Sequence, residues 1–416
     1  MNAALRQLAS LLLALATLSL DQAPAIAAGN LADVVSDLWG GDGITLDIAS
    51  VQDPSEILET KGFETSSLTG FGSLQSQLAA NLNFLSVSST ASGFTFDLEL
   101  GVPVRTTDSF GPLIAERANT LGRSRLNVAL SYTRLDYQRF QGDRLDDLEL
   151  VFENDRDFDE DGEVCDPDTP SLFQIECDHV RVDLDVELEQ DVVALFGRYG
   201  ITARWDVGFV APFVHSRARA TGDATIVYAD PSHPQHRFGP LDRSHSSASG
   251  TASGLGDVLL QTKYHLREAR GAFPDLGVLG QVKLATGDED DLLGTGETNF
   301  LLLLIASRTW RWLTPHLNLG YEVSTGPAEL DNLRYTSGID ARLLPNLTAA
   351  LDVVGRFGPN ADARSDHLAD LGTGIKWEVF RSLLLDVNLL FPLNRNEGLR
   401  TNVTWTVGFE YTFDVE

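Results

Sequence analysis

Hydrophobic and polar residues alternate strictly near the end of the chain. From 399 to 413 the odd positions are mostly large and apolar, whereas the even positions are mostly polar. Because successive side chains of a β-strand point to opposite faces, this pattern predicts a strand. Trp405, Tyr411 and Phe413 are expected on one face, and Arg400 and Glu410 on the other.

The same alternation recurs along the chain and predicts about fourteen antiparallel strands. The predicted strands span residues 92–105, 109–121, 123–140, 178–197, 200–219, 255–269, 274–287, 297–312, 314–327, 331–343, 345–359, 367–380, 382–394 and 399–415. Short and long connections alternate along the chain. The long connections include 141–177 and 220–254. Bacterial outer-membrane barrels have this asymmetry, with short periplasmic turns and long external loops.

The polar faces of these strands predict a wet interior. A membrane helix needs about 18 or more consecutive apolar residues, and none follows the N-terminal region. A chain without such a helix can cross lipid only as a closed barrel, in which all backbone groups pair. We therefore predict an all-β fold, a closed antiparallel transmembrane β-barrel. The side chains predicted to line its lumen, along the transport path, are Arg181, Asp183, Lys263, Lys283, Lys376, Arg400 and Glu410.

The N-terminal residues follow the pattern of a secretory signal peptide. Arg6 precedes a short apolar run, and Ala25-Ile26-Ala27 forms a small-residue cleavage pattern. The sequence thus predicts a signal peptide at 1–27, an N-terminal segment at 28–91 and the outer-membrane β-barrel at 92–416. Parts of the second segment have helical spacing, which predicts a partly helical plug entering from the periplasmic side or a loose periplasmic segment.

Charge and cysteine content narrow the range of partners. The net charge of −29 excludes the basic surface that nucleic-acid binding requires. The two cysteines, Cys165 and Cys177, share one loop of an exported chain, where disulfides form. We predict that they form a disulfide.

The same loop contains a calcium-like spacing of acidic residues. A calcium loop places oxygen ligands at alternate positions and then turns at a glycine. The candidate ligands are Asp157, Asp159, Asp161, Glu163 and Asp168. The alternative is an acidic loop that is simply solvated. Structural calcium is the only cofactor that the sequence suggests.

Two further features bear on activity. The sequence contains neither G-x-S-x-G nor H-E-x-x-H, so we predict that the protein is not an enzyme. Pro212 lies inside a predicted strand, where proline cannot donate a ladder hydrogen bond. It is interpreted either as a break that forms a lateral gate for an apolar solute or as a simple strand kink near the rim.

Several short motifs carry a family resemblance. They are Gly111-Pro112, Ala115-Glu116-Arg117-Ala118, Thr120-Leu121-Gly122-Arg123, Gly254-Leu255-Gly256-Asp257, the run from Lys283 to Asp288, and Gly294-Thr295-Gly296. Over roughly residues 60–416 the chain resembles the phenol-degradation (meta-pathway) family of outer-membrane transporter-like barrels. That family is distantly similar to the long-chain fatty-acid outer-membrane channel. One departure is the C-terminus, where Asp-Val-Glu follows Phe413 although such barrels often end on an aromatic residue.

The resemblance implies passage of small hydrophobic or aromatic molecules across a bacterial outer membrane. We therefore predict a passive outer-membrane channel, with outer-membrane lipids, the solute and the barrel-assembly machinery as partners and no nucleic acid. The alternatives are a non-transport outer-membrane surface protein that presents the acidic, calcium-binding loop, and a soluble extracellular β-sandwich.

Overall fold

The computed structural model describes residues 109–154, 177–229, 244–326, 331–358, 367–380 and 383–415, with short pieces between 30 and 105 and the strand His236–Phe238. Among these residues, no helix is long and apolar enough to cross a bilayer.

Twelve antiparallel strands close into a barrel. In chain order they are β1 Arg125–Phe140, β2 His179–Thr202, β3 Trp205–Val227, β4 in two parts (His245–Leu255 and Val258–Arg267), β5 Asp275–Leu284, β6 Asn299–Ser307, β7 Leu313–Ser324, β8 Asn332–Leu344, β9 Leu347–Phe357, β10 His367–Phe380, β11 Leu383–Pro392 and β12 Thr404–Asp414. Each strand pairs with the next along the chain, and β12 pairs with β1 to close the ring. The all-β closed antiparallel fold is confirmed.

The strand count is lower than the predicted fourteen because two predicted strands are absent from the wall. Residues 94–97 and 102–105 pair with each other as a separate hairpin. Residues 109–121 contain no strand and lie inside the barrel. Gly111 has a φ of 94° and Pro112 has no N–H, so this stretch cannot follow a regular ladder.

The outer face of the barrel is an apolar belt. Large side chains such as Phe209, Leu302, Tyr321, Leu351 and Trp377 are exposed there, Leu302 by 60%. A water-soluble monomer does not expose a contiguous apolar surface of this kind, whereas a transmembrane barrel presents it to lipid. The closed wall and its belt place the protein in the bacterial outer membrane.

The two ends of the barrel differ. Short turns join β2 to β3, β8 to β9 and β10 to β11 at one end, where β1 begins and β12 ends. The longer connections lie at the other end, as the sequence predicts. By the usual orientation of such barrels, the short-turn end is periplasmic and the long-loop end is external.

One side of the barrel projects beyond the belt at the external end. β2 and β3 contain 24 and 23 residues and are the longest strands. Val180, Val182 and Leu184 of β2 point inward and pack in a buried cluster with Leu31 and Leu38 from the N-terminal part of the chain. The projecting wall therefore has its own hydrophobic interior, outside the membrane.

The N-terminal segment is placed differently from the prediction. Its described residues between 30 and 48 pack inside the external end, where the Ala32 amide donates to the Asp290 carbonyl at 3.0 Å. The sequence predicts a plug at the periplasmic end or a loose extension there. Most of 28–91, including the stretch with helical spacing at 72–84, lies outside the described residues, as does the predicted signal peptide.

Candidate functional site: a lumen closed at two levels

Charged side chains line the inside of the barrel as paired groups. Of the seven residues predicted to line the lumen, five are buried inside the wall: Lys263, Lys283, Lys376, Arg400 and Glu410. Lys376 Nζ lies 3.4 Å from Glu410, and Arg400 lies 3.0 Å from Asp370. Buried charges are tolerated when they are paired in this way. Their role along a transport path stays a prediction.

Arg181 and Asp183 lie elsewhere. Both side chains are exposed, by 45% and 66%, on the face of β2 that further along also carries the exposed Val193 and Leu195. That face is the outer one, so the two residues lie on the outside of the projecting wall. Alternation along β2 is regular, but apolar side chains fill the barrel interior at this level and leave the charged positions to external water.

A non-strand segment crosses the lumen near the periplasmic end. We call residues 109–121 the lumen segment. Its backbone amides donate to wall side chains on different strands, from Phe110 to Thr348 at 3.0 Å and from Leu121 to Asp206 at 2.8 Å. Between these points the Ala118 amide donates to Ser307 at 3.1 Å. These contacts fix the segment from β9 across to β3.

Glu116 is the central anchor of the lumen segment. Its carboxylate lies 2.9 Å from Arg198 of β2 and 2.9 Å from Lys263 of β4, and all three side chains are buried. The amide of Glu116 also donates to Asn318 at 2.8 Å. Burial raises the pKa of a carboxyl group, but the charges of Arg198 and Lys263 outweigh this effect and lower the pKa of Glu116 to about 2. Glu116 is therefore ionised at neutral pH.

The adjacent Arg117 makes a second buried network. Its guanidinium bonds to Asp340 of β8, with Nε donating at 3.3 Å, and to Ser109 within the same segment. Asp340 also faces His316, whose other ring nitrogen contacts Asp352 of β9. Glu116 is thus paired with β2 and β4, and Arg117 with β8 on the opposite side of the barrel. These ion pairs fix the segment to both sides of the wall.

The sequence reading missed the lumen segment and assigned it to a strand. Two features of the sequence nevertheless argue against a strand here. Gly111-Pro112 interrupts any ladder, and the adjacent Glu116-Arg117 pair breaks the alternation because it places a charge on both faces at once. The stretch that carries the first family motifs is therefore a closure of the lumen, not part of its wall.

A second closure lies toward the external end. Residues 285–296, which we call the inward loop, connect β5 to β6 and fold into the barrel. Asp257 accepts hydrogen bonds from the amides of Gly287 and Thr295 at 3.0 and 2.9 Å and from the Thr295 hydroxyl at 2.8 Å. Lys283 lies 3.2 Å from the same carboxylate. Asp257 is thus the centre that holds the loop in place.

Glycines permit the tight packing of the inward loop. A Cβ atom added to Gly287 lies 2.7 Å from Gly294, and one added to Gly294 lies 2.5 Å from Asp257. A Cβ atom on Gly254 of β4 meets Leu293 at 2.9 Å. At Gly287 and Gly294 the clash includes backbone atoms, so a side chain there would displace the loop, whereas at Gly254 the Leu293 side chain would have to move. The second group of family motifs therefore converges on one structural unit.

The tip of the inward loop joins the external cluster. Leu292 and Leu293 are buried with the N-terminal residues and the inner face of β2 and β3. Gln190 and Ser216 both donate to the Leu292 carbonyl, at 2.9 and 3.0 Å. This packing fixes the tip of the inward loop against one side of the external end of the lumen.

A cavity of about 100 Å³ lies inside the barrel, bordered by the lumen segment. Its apolar border consists of Ile114, Leu279, Leu301, Leu303 and Val354. Its polar border includes Gln261, Gln281, Asn318 and Arg334, with Glu116 at the lumen segment. For scale, an apolar cavity of roughly 150 Å³ holds benzene. The cavity is therefore smaller than a benzene site, and an apolar patch and polar groups share its border.

The wall bends next to Pro212. β3 and β4 pair from Phe213 with Leu255 and again from Val210 with Leu259, so β4 has one more residue than β3 between these points. This is a β-bulge. The Gly256 amide donates to the Pro212 carbonyl at 2.8 Å. The irregularity is in β4, opposite Pro212, whereas β3 pairs with β2 without a break through Pro212. The kink and the lateral gate both stay predictions.

The predicted calcium ligands Asp157, Asp159, Asp161, Glu163 and Asp168 lie outside the described residues. Cys177 is described but Cys165 is not, so the disulfide also stays a prediction. In the part of the chain that the structure describes, no group of three or more His, Cys, Asp or Glu side chains is arranged to hold a metal ion.

Fold and site together define a bacterial outer-membrane barrel with two chain segments folded into its lumen. The chain belongs to the family described as "Putative MetA-pathway of phenol degradation", whose model matches residues 178–401. This confirms the resemblance seen in the sequence. No curated protein matches the chain.

Solved structures of other outer-membrane proteins are distantly similar. An outer membrane channel from Pseudomonas putida F1 is 13% identical with a TM-score of 0.44, over 71% of this chain and 98% of that one. The toluene transporter TbuX of Ralstonia pickettii is 11% identical with a TM-score of 0.34, over 79% and 99%. A Pseudomonas aeruginosa FadL homologue is 10% identical with a TM-score of 0.33, over 80% and 98%.

Proposed function

We propose that this protein is an outer-membrane channel for passive passage of small hydrophobic or aromatic molecules. The cavity is the observation that carries the proposal. Leu279, Leu301 and Leu303 form an apolar patch in the lumen beside charged and amide side chains such as Glu116 and Gln281. Burying apolar surface is favourable by about 25 cal/mol per Å², so an apolar solute prefers this patch to water. Membership of a phenol-degradation family supports the same solute class.

Passage requires one of the two closures to open. The lumen segment is held by buried ion pairs of Glu116 and Arg117 and by backbone bonds to several strands. The inward loop is held chiefly by Asp257 with Lys283. Fewer charged contacts hold the loop, so it is the closure that moves and admits solute from outside.

The exit that we propose is lateral, at the bend beside Pro212. Above this bend, the part of β4 at His245–Leu255 pairs with β3, and its other edge has no strand partner among the described residues. The wall therefore has an unpaired strand edge directly above the bulge. A solute leaving here enters the membrane and does not cross the lumen segment.

Flux measurements test the proposal. The purified protein is placed in vesicles that contain lipopolysaccharide, and uptake of labelled phenol is compared with protein-free vesicles. Faster uptake that saturates with phenol concentration is expected. A folded barrel, recognised by heat-modifiable mobility on gels, that passes no apolar or aromatic solute would contradict the channel. That result would leave the non-transport surface protein with its acidic loop.

Several predictions accompany the proposal without bearing on the cavity. They are absence of enzymatic activity, contact with outer-membrane lipids, assembly by the barrel-assembly machinery, and calcium binding by the acidic loop. Calcium titration of the purified protein, with Asp157→Asn and Asp159→Asn together as the control, tests the last of these.

A further inference from the structure

Four arginines lie at two neighbouring turns of the periplasmic end: Arg267, Arg270, Arg308 and Arg311. The first two lie at the turn from β4 to β5, and the other two at the turn from β6 to β7. Because β5 and β6 pair with each other, the two turns are side by side. Arg308 joins them, since its Nη1 donates to the Phe273 carbonyl at 3.0 Å. We call this pair of turns the basic rim.

Both turns of the basic rim are tight hairpins with a loop of two residues. The residues that flank each loop exchange two backbone hydrogen bonds, with lengths between 2.7 and 3.2 Å. The first loop residue has a left-handed backbone in each, Gly271 with a φ of 57° and Arg311 with a φ of 55°. That conformation favours glycine. The backbone of the rim is therefore well defined, and Arg311 places a charge where the neighbouring turn has a glycine.

Large aromatic side chains lie among these charges. Phe273, Trp310 and Trp312 are exposed by 61%, 55% and 53%, at the periplasmic edge of the apolar belt. In transmembrane barrels such aromatic residues lie at the boundary between acyl chains and headgroups. The Arg267 guanidinium lies 5.0 Å from the centre of the Phe273 ring, and the Arg308 guanidinium lies 5.5 Å from the centre of the Trp310 ring. The arginines are therefore at the level of the lipid headgroups.

The basic rim has a charge opposite to that of the protein. Residues 267–275 and 308–312 contain four arginines and two carboxylates, in a chain whose net charge is −29. Both carboxylates have other partners. Glu268 lies 3.2 Å from Arg204 of an adjacent turn, and Asp275 accepts a hydrogen bond from a backbone amide at 2.9 Å. The rim therefore has an excess of positive charge that its own carboxylates do not neutralise.

Three of the four guanidinium groups can bind a ligand. Arg308 donates to backbone carbonyls of the neighbouring turn. Within the part of the chain that the structure describes, the exposed Arg267, Arg270 and Arg311 form no ion pair with a carboxylate. Guanidinium groups bind phosphate through two parallel hydrogen bonds. A phosphate group at the membrane surface therefore finds several charged donors here.

We propose that the basic rim binds an anionic phospholipid of the inner leaflet of the outer membrane. The phosphate lies against Arg270 and Arg311, and the acyl chains lie against the exposed rings of Trp310 and Trp312. A soluble phosphate compound uses the arginines alone, whereas a lipid uses the arginines and the rings together. The inference is independent of the channel function.

Native mass spectrometry of the purified barrel tests this inference. The protein in detergent is mixed with equal amounts of phosphatidylglycerol, which is anionic, and phosphatidylcholine, which is zwitterionic, and the bound molecules of each are counted. We expect the wild type to retain phosphatidylglycerol with a preference of about fivefold or more, the effect of one or more basic side chains at a lipid surface. In the double variant Arg270→Gln with Arg311→Asn, the two lipids should bind about equally. Asparagine at position 311 tolerates the left-handed backbone.

The double variant Arg181→Gln with Arg219→Gln is the matched control. It also removes two positive charges, but from the outer face of the projecting wall, beyond the membrane. Its lipid preference should equal that of the wild type, and an equal loss in both double variants would show a general charge effect and contradict the proposed site. Wild-type protein that binds the two lipids equally would overturn the inference, whether or not the variants fold. Displacement of the lipid by an equal concentration of inorganic phosphate would also overturn it, because the site would then recognise phosphate alone.

Discussion

Arg198 donates two hydrogen bonds to Glu116, from Nη2 to Oε1 at 2.9 Å and from Nη1 to Oε2 at 3.2 Å. Arg198 belongs to the barrel wall and Glu116 to the lumen segment, so this fork-shaped pair joins the closure to the wall. Two-point arginine–carboxylate pairs combine strength with fixed orientation. The periplasmic closure is therefore a rigid part of the barrel, and its anchoring residues can be tested one at a time.

Glu116→Gln should release the lumen segment. The substitution leaves Arg198 and Lys263 buried without their counter-charge, and breaking a buried ion pair in this way costs about 3–5 kcal/mol. We expect a larger single-channel conductance and a lower thermal unfolding temperature. Glu187→Gln serves as the control, because Glu187 is exposed on the outer face of β2. Unchanged conductance and unfolding temperature in Glu116→Gln would refute the anchoring role.

The anchor should also persist in acid. The pKa of Glu116 is lowered from 4.5 to about 2. Its contribution to stability is therefore fully present above pH 4.5 and is lost only as the pH falls toward 2. Single-channel conductance measured from pH 7 down to pH 4 should show no opening that depends on Glu116. An opening near pH 5 in the wild type that is absent from Glu116→Gln would show that this carboxyl group titrates normally.

Sequence periodicity predicts the wall well and the lumen poorly, for a physical reason. In β12 the alternation places Trp405 and Phe413 outside and Glu410 inside, as the structure shows, because lipid and lumen impose opposite demands on the two faces. In β2 the inward positions of Val180 and Val182 depend on packing against Leu31, a contact between residues far apart in the chain. A local pattern shows that two faces differ and does not show which one is inside.

The alternation of polar and apolar residues does not by itself predict the contacts of the candidate site. Lys283 and Asp257 could be predicted as inward-facing polar residues, but their contact depends on how residues 285–296 fold back into the barrel. The lumen segment is a harder case, because nine of residues 109–118 are buried and resemble a strand in composition. Only the Gly111-Pro112 break and the adjacent Glu116-Arg117 charges distinguish it.

Asp257→Asn should loosen the external closure. The asparagine loses the ion pair with Lys283 and offers one carbonyl oxygen where the carboxylate accepts three hydrogen bonds. A hydrogen bond to a charged group contributes about 1.5–3 kcal/mol, so we expect the inward loop to open more often. Uptake of phenol should rise at low concentration. Asp185→Asn, on the exposed face of β2, should leave uptake unchanged, and an equal rise in both variants would exclude a specific role for the loop.

Pro212→Val tests the lateral exit. The Pro212 carbonyl points to β4, where it accepts from Gly256, so the backbone nitrogen of residue 212 faces the same strand. Valine supplies the N–H that proline lacks and can add a ladder hydrogen bond worth about 1 kcal/mol beside the bulge. A stiffer bend should slow phenol uptake severalfold, while the conductance for small ions, which do not leave through lipid, stays the same. Ala211→Val, one residue away on the outer face, controls for added bulk. If Pro212→Val takes up phenol at the wild-type rate, the bend is only a kink, and the solute must leave past the lumen segment.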